Sequence, residues 1–376
     1  MSAIFDTEAW ARVPFHFWSL TFFVFGCIVG SFLNVCIHRM PRGESIVRPP
    51  SHCPHCNYSI PFYLNIPLFT WIYLRGKCAN CHAAISVRYF LVELLTGLAF
   101  LACWLKFGEI SALLALVYCL LLAGFIIATF VDFEHYIIPD EITIGGMVAG
   151  FLCSFVVPII HFSLPAFERV QSPGVAMRQS LLGMAVGGGV IYGILRLGKL
   201  MFGRQKIELS PGSKIFFTET VLKLPEQELP FAEIFYRPSD TIILQAHRVE
   251  LIDRCYANVA VRLQPERLQI GDDIFEPENV PHLEAVADQI ILPREAMGFG
   301  DVKFMAAIGA FLGWPAVIFS IGVSSLIGSA VGLSFIALRK KEWASTRLPY
   351  GPYIVAAAII WIFGGHEWVR QWFLRW

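Results

Sequence analysis

The chain has 376 residues and no net charge; it is 56% hydrophobic, 14% aromatic and only 15% charged. A soluble domain carries about a quarter of its residues as charges, so an ordinary water-facing fold is excluded. Zero net charge points to no partner by itself, and no nucleic-acid partner is expected.

The apolar residues gather in runs, and about 20 such residues suffice to cross a bilayer. In chain order, eight spans are expected at 17–37, 89–106, 110–131, 142–160, 180–201, 302–313, 315–338 and 350–365. The sixth is short and is expected to form a helical hairpin with the seventh around Gly313-Trp314-Pro315. No basic stretch precedes the first span and no small-residue cleavage site follows it, so it reads as a retained helix.

Charge distribution orients these spans. With the N-terminus outside, the inner loops hold Arg39, Arg42, Arg48, Arg75, Lys77 and Arg88, then most cations between Arg196 and Arg294, then Arg339, Lys340, Lys341 and Arg347. The outer segments keep only Arg12, Lys106, Arg169, Arg178, Arg370 and Arg375. An excess of cations on the cytoplasmic side selects that orientation.

Two inner segments interrupt the membrane part. The first, 38–87, contains Cys53-Pro54-His55-Cys56 and Cys78-Ala79-Asn80-Cys81, two CxxC pairs with 21 residues between them. Each pair presents two thiolates from one tight turn, and four thiolates complete a closed tetrahedral zinc site. A closed site has no position for a substrate, so the zinc is expected to be structural. His52, His55 and His82 beside the pairs are weaker ligand candidates. The other six cysteines (Cys27, Cys36, Cys103, Cys119, Cys153 and Cys255) show no metal or disulfide spacing.

The second interruption, 203–297, contains no possible span. Its segments Lys214–Leu224, Thr241–Ile252 and Ala257–Leu268 mix apolar and polar residues in the manner of strands, with Pro and Gly between them. A small β-rich domain is expected there.

Two aspartates stand at the inner membrane edge. Asp132 lies where the third span ends, and Asp301 lies in Gly298-Phe299-Gly300-Asp301-Val302-Lys303, where the sixth begins on the same side. Ionisable residues at such positions are costly and frequently functional. A pair of carboxyls at one depth can share a proton and hydrolyse a peptide bond. Gly298 and Gly300 are expected to let the backbone turn tightly beside Asp301 and leave room for a substrate strand. Asp140 is expected to cap the fourth span, and Lys303 to reach toward the interface. Pro349-Tyr350-Gly351-Pro352-Tyr353 is not expected to stay helical at both prolines.

Several segments carry a family resemblance in one order along the chain. They are Gly30-Ser31-Phe32-Leu33-Asn34-Val35 followed by His38-Arg39-Met40-Pro41, the two CxxC pairs, Asn65-Ile66-Pro67 and Arg75-Gly76-Lys77-Cys78. Next come Arg88-Tyr89, Leu91-Val92-Glu93-Leu94, Asp132 with Ile138-Pro139-Asp140, Gly298 to Lys303 and Pro349 to Tyr353. The chain resembles the type IV prepilin peptidases, bifunctional leader peptidases and N-methyltransferases of the GxGD aspartic type. The resemblance implies that Asp132 and Asp301 are catalytic, with Gly298, Gly300, Lys303 and Asp140 in support. It implies cleavage of prepilin or pseudopilin leaders and methylation of the new N-terminus with S-adenosylmethionine. Gly76 matches a position linked to the second activity, which makes it a cofactor-binding candidate. The departure is the insert, expected to dock the basic leader or a pilus-assembly partner.

The expected fold is therefore a polytopic α-helical membrane protein of about eight transmembrane helices. It carries a small cytoplasmic zinc-binding domain and a β-rich cytoplasmic insert. Its domains are 1–37 (first helix), 38–87 (zinc-binding and methyltransferase region), 88–202 (helices two to five with Asp132), 203–297 (insert) and 298–376 (helices six to eight with the GxGD motif). The setting implied is the bacterial inner membrane, multi-pass, with the active site facing the cytoplasm. Expected partners are prepilins or pseudopilins, lipid, and pilus or secretion assembly proteins. The rival expectations are a peptidase without methyltransferase activity, a zinc-stabilised scaffold and a proton-coupled transporter.

Overall fold

The computed structural model describes residues 14–161, 172–202, 204–218, 220–225, 228–235, 240–280, 282–293, 298–338 and 349–373. Of the cations used for orientation, Arg12, Arg169, Arg294, Arg339, Lys340, Lys341, Arg347 and Arg375 lie outside the described residues. The chain forms two compact units, Met1–Tyr192 with Gly298–Trp376, and Gly193–Met297.

The first unit is helical. Its longer helices are α1 (Phe15–Arg39), α2 (Val87–Phe107), α3 (Ala112–His135), α4 (Asp140–Val156), α5 (Pro173–Phe202, which runs on into the second unit from Gly193), α6 (Phe299–Leu312), α7 (Trp314–Leu338), α8 (Gly351–Ile360) and α9 (His366–Phe373). Among the described residues, six helical stretches are long and apolar enough to cross a membrane: α1, α2, α3, α5, α7 and the run Gly351–Gln371 through α8 and α9. The expected fourth and sixth spans are shorter. Helix α4 has 17 residues and stops before Pro158, whose ring and missing N–H end a helix. Helix α6 has 14 residues, about 21 Å at 1.5 Å per residue, against about 30 Å of bilayer hydrocarbon. It breaks at Gly313, φ +79, and α7 begins at the next residue and packs on it, as the hairpin expectation had it.

Serines start α2 and α3. Ser86 accepts from the N–H of Arg88 to cap α2, and Ser111 accepts from that of Leu114 to cap α3. Helix α3 is the centre of the unit: 72% of its apolar window is buried, against 22–44% for the other five stretches. Helices α5 and α6 cross without side chains between them. A Cβ on Gly183 would overlap the carbonyl oxygen of Gly309, and one on Gly309 would overlap that of Gly183.

The second unit holds a sheet of ten strands: β1 (Arg204–Glu208), β2 (Lys214–Phe217), β3 (Val221–Lys223), β4 (Glu228–Pro230), β5 (Ile242–Glu250), β6 (Cys255–Gln264), β7 (Arg267–Ile270), β8 (Asp273–Phe275), β9 (Leu283–Val286) and β10 (Gln289–Pro293). The main order is β4-β3-β2-β9-β5-β6-β7-β8, and β10 bridges β1 to β5. All the pairings are antiparallel. Strand β5 alternates inward Ile242, Leu244 and Ala246 with outward residues, and Ile215, Leu222, Val261 and Ile290 complete the same core. Strands β9 and β10 both pair with β5, so they act as one strand bent at Ala287-Asp288. Of the three segments expected to be strands, the first contains β2 and β3, the second contains β5, and the third overlaps most of β6 and the first half of β7.

Candidate active site and metal centre

Asp132 lies on the last turn of α3, 6% exposed. Its Oδ2 accepts a 2.8 Å hydrogen bond from the backbone N–H of Gly351, the first residue of α8. The chain leaves α3 through Tyr136, whose left-handed φ of +55 reverses it toward Ile138 and the start of α4. Asp301 occupies the first turn of α6. Ile138 joins the two acids. Its backbone N and Cβ lie 3.7 Å from where Gly300 would carry a Cβ, and its Cδ1 lies 3.4 Å from the same point on Gly351. Two carboxyls distant in sequence thus share one locality, with a backbone amide directed at one of them.

The supporting residues differ in part from the sequence expectations. Gly298 caps α6 with φ −71 and ψ 149, an extended conformation open to any residue, so a tight turn is not why it is glycine. An added methyl there would meet Asp301 Oδ2 at 3.6 Å, so both glycines of the motif keep the surface around Asp301 bare. Asp140 is the first helical residue of α4 and makes no cap. Its Oδ1 instead lies 2.6 Å from Lys303 Nζ, so Lys303 ties α6 to α4 rather than reaching outward. Pro352 stays helical within the first turn of α8, where a missing N–H costs nothing. Only Pro349 and Tyr350 of that motif remain outside the helix.

Sequence reasoning missed Gly351 as the donor to Asp132, although a glycine followed directly by proline at a helix start was visible. It also missed the clamp behind it. The Tyr350 hydroxyl lies 3.1 Å from Ser324 Oγ and 3.2 Å from Ser325 Oγ, so α7 fixes the segment that carries the amide.

The four paired cysteines come together. Their sulfurs all lie within 4.8 Å of one another, with Cys53–Cys81 at 3.8 Å and Cys56–Cys78 at 4.0 Å. A tetrahedron with zinc–sulfur bonds of about 2.3 Å has sulfur–sulfur edges of about 3.8 Å, so the set fits zinc. Two matching turns build it. Cys53 and Cys78 donate their N–H groups to the carbonyls of Tyr58 and Ala83 and accept from the N–H groups of Asn57 and His82. Asn57 and His82 take φ +54 and +57 at the corresponding place. His82 thus serves the turn through its backbone, and the histidines are not needed to complete the set. The N–H groups of Cys81 and Asn80 hold the Cys78 thiol down at about 6, and that of Tyr58 lowers Cys56. Against the N–H of Ala83, burial and the neighbouring sulfurs push the Cys81 thiol up to about 12.

Gly76 has φ +67, and an added Cβ would lie 3.0 Å from the Trp71 ring. Those two facts explain the glycine without a cofactor.

Residues 24–107 match the bacterial peptidase A24 N-terminal domain, and residues 283–333 match the type IV leader peptidase family. A prepilin leader peptidase/N-methyltransferase of Myxococcus xanthus is 45% identical over 166 residues, 44% of each chain. A protein of the same description from Aeromonas hydrophila is 26% identical over 391 aligned positions, covering 96% of this chain and 95% of the relative. An Escherichia coli type 4 prepilin-like proteins leader peptide-processing enzyme is 34% identical over 200 residues, 48% of this chain and 68% of the relative. No solved structure matches.

Proposed function

This chain belongs to the type IV leader peptidase family, and we propose that it removes the leaders of type IV prepilins or pseudopilins with Asp132 and Asp301. The observation that carries this reading is that Ile138 lies against both Gly300, the neighbour of Asp301, and Gly351, the donor to Asp132. Two carboxyls in one locality share a proton. The ionised member takes a proton from water, while its protonated partner polarises the scissile carbonyl and then protonates the leaving amine. Gly351 holds Asp132 in place for that exchange, and the bare surface at Gly298 and Gly300 admits an extended substrate strand. Lys303 and Asp140 keep the two helix starts together.

The N-methyltransferase name of relatives that span almost the whole chain supports a second activity, methylation of the exposed N-terminus. S-adenosylmethionine is its donor. Zinc held by Cys53, Cys56, Cys78 and Cys81 gives the intervening loop a fold and takes no part in either reaction. The distribution of Lys and Arg supports an inner-membrane protein whose acids face the cytoplasm, the side on which a prepilin's leader lies.

Mass spectrometry of a co-expressed precursor reads leader loss and the added methyl group together. Asp132→Asn and Asp301→Asn are each expected to leave the leader attached while the chain retains one zinc. Leader removal at the normal rate by both variants would overturn the assignment.

A further inference from the structure

We infer that a cleft between α1 and the loops of the cysteine-bearing segment holds the methyl donor, a zwitterionic sulfonium attached to adenosine. This rests on the methylation reading above and gives it a place. The cleft has a volume of about 640 Å³, within the range of about 300–1,000 Å³ usual for cofactor pockets. Phe23, Ile28, Phe32 and Val35 of α1 form one wall, and Pro49, Pro50 and residues 65–68 form another. These apolar and aromatic surfaces suit a purine ring.

A buried cation lines the cleft and a half-buried anion stands behind its wall. Arg39 lines it and is 8% exposed; Nη1 donates to the Ser45 carbonyl at 3.0 Å and Nη2 to the Pro49 carbonyl at 2.8 Å. Glu93, on α2, stands behind the wall. Its Oε2 accepts from the N–H of Leu68 at 2.7 Å, and its Cα lies 2.7 Å from where Gly30, the residue before Ser31, would carry a Cβ. Both Leu68 and Ser31 line the cleft. Among the described residues, neither Arg39 nor Glu93 forms an ion pair. Opposite charges withdrawn from water, Arg39 almost fully and Glu93 in part, and met only by neutral dipoles are costly. A ligand with a carboxylate for Arg39 and cationic groups for the Glu93 side offsets both.

Leu68 adds an independent sign. It has φ +60 and ψ −52, and the N–H of Phe69 bonds to the Pro67 carbonyl at 2.6 Å. This is the strained form of the γ-turn, and strain of this kind concentrates at ligand sites.

The cleft also lies at the same end of the bundle as the acids. Asn34 Nδ2 on α1 donates to the Tyr89 carbonyl on α2 at 3.0 Å. The next link is the ion pair of Arg88 with Glu134, two residues beyond Asp132. The freed amino group, after losing its extra proton to solvent, gives its lone pair to the methyl carbon. The carbon–sulfur bond breaks onto sulfur, so the positive charge passes to nitrogen and a neutral thioether, S-adenosylhomocysteine, leaves.

The test titrates S-adenosylmethionine into the full-length, zinc-loaded chain in nanodiscs by calorimetry, with no precursor present. Val35→Trp fills the cleft, Glu93→Gln removes its anion, and Leu20→Trp alters α1 away from it. The wild type and Leu20→Trp should bind alike. The other two should bind about tenfold more weakly or worse, with the methylated fraction falling and leader removal within about twofold. Should the cleft variants lose zinc as well, an azido donor analogue photolinked to the wild type decides. Labels within 23–35 and 46–68 support the site. Labels elsewhere, unchanged binding in both cleft variants, or no binding to the wild type overturn it. Failure of leader removal by the wild type would sink the peptidase reading instead, because the binding measurement needs no precursor.

Discussion

Gly351 donates its N–H to Asp132 and begins α8 directly before Pro352, so one residue fixes both a helix start and a reacting group. A Cβ there would stand 2.8 Å from Asp132 Oδ2, too close for the carboxyl to keep its position. A misplacement of about 1 Å near the chemistry costs about 100-fold in rate. Gly351→Ala is therefore expected to cleave precursor about 100-fold more slowly while retaining zinc and donor binding. Cleavage within about threefold of wild type, in a timed assay by mass spectrometry, would show that the amide does not position the acid. In the sequence the two acids were singled out by a common side and depth in the membrane and by the family resemblance. The amide was not legible: every residue but proline has one, and only the packing shows where it points.

At the scale of elements, the zinc turns and the α5–α6 crossing make separate demands. Each turn uses two sulfurs and one left-handed residue, so Cys78→Ser is expected to lose the metal, whereas His55→Ala and His82→Asn should keep one zinc per chain by elemental analysis. Asparagine tolerates the left-handed region that His82 occupies at φ +57. Loss of zinc from either histidine variant would mean that the histidine is a ligand. At the crossing, Gly309→Ala drives a methyl into the Gly183 backbone, which cannot move as a side chain would. It should destabilise by about 1–3 kcal/mol or more. Gly189→Ala on the same α5 meets nothing within 4 Å, and exchanging glycine for alanine in a helix should be neutral or stabilising by up to about 1 kcal/mol. Thermal unfolding in detergent separates the two; equal midpoints would mean that the close approach does not exist. The spans and cysteine pairs were legible because each has a simple period or spacing. Helix α4 was read as a full span because apolar runs do not announce their length, which Pro158 cuts short, whereas α6 was read as short from the start. The strands β1, β4, β8, β9 and β10 have three to five residues each, too few for an alternation to stand out; long-range pairing makes them strands.

For the whole molecule, the question is how a segment of this size interrupts a helical unit between α5 and the Asp301 motif without dispersing the acids. Strands β1 and β10 answer it: Arg204 pairs with Pro293 and Glu208 with Gln289, so the segment begins and ends side by side. Paired strands lie about 4.8 Å apart, a gap that a few residues can close. The sheet also has its own core of 18 buried apolar residues. Replacing 205–293 by a short glycine-serine linker should therefore leave the zinc content and the unfolding midpoint of the helical unit nearly unchanged, and isolated 204–293 should unfold cooperatively in water. If the insert docks the basic leader or an assembly partner, the excised chain should need a higher precursor concentration for half-maximal cleavage while its maximal rate holds. Unaltered dependence on precursor would reject docking and leave the insert outside substrate selection. A collapse of the maximal rate with zinc and fold intact would place it in the chemistry, because only a group that acts at the transition state lowers turnover without changing how much substrate is bound.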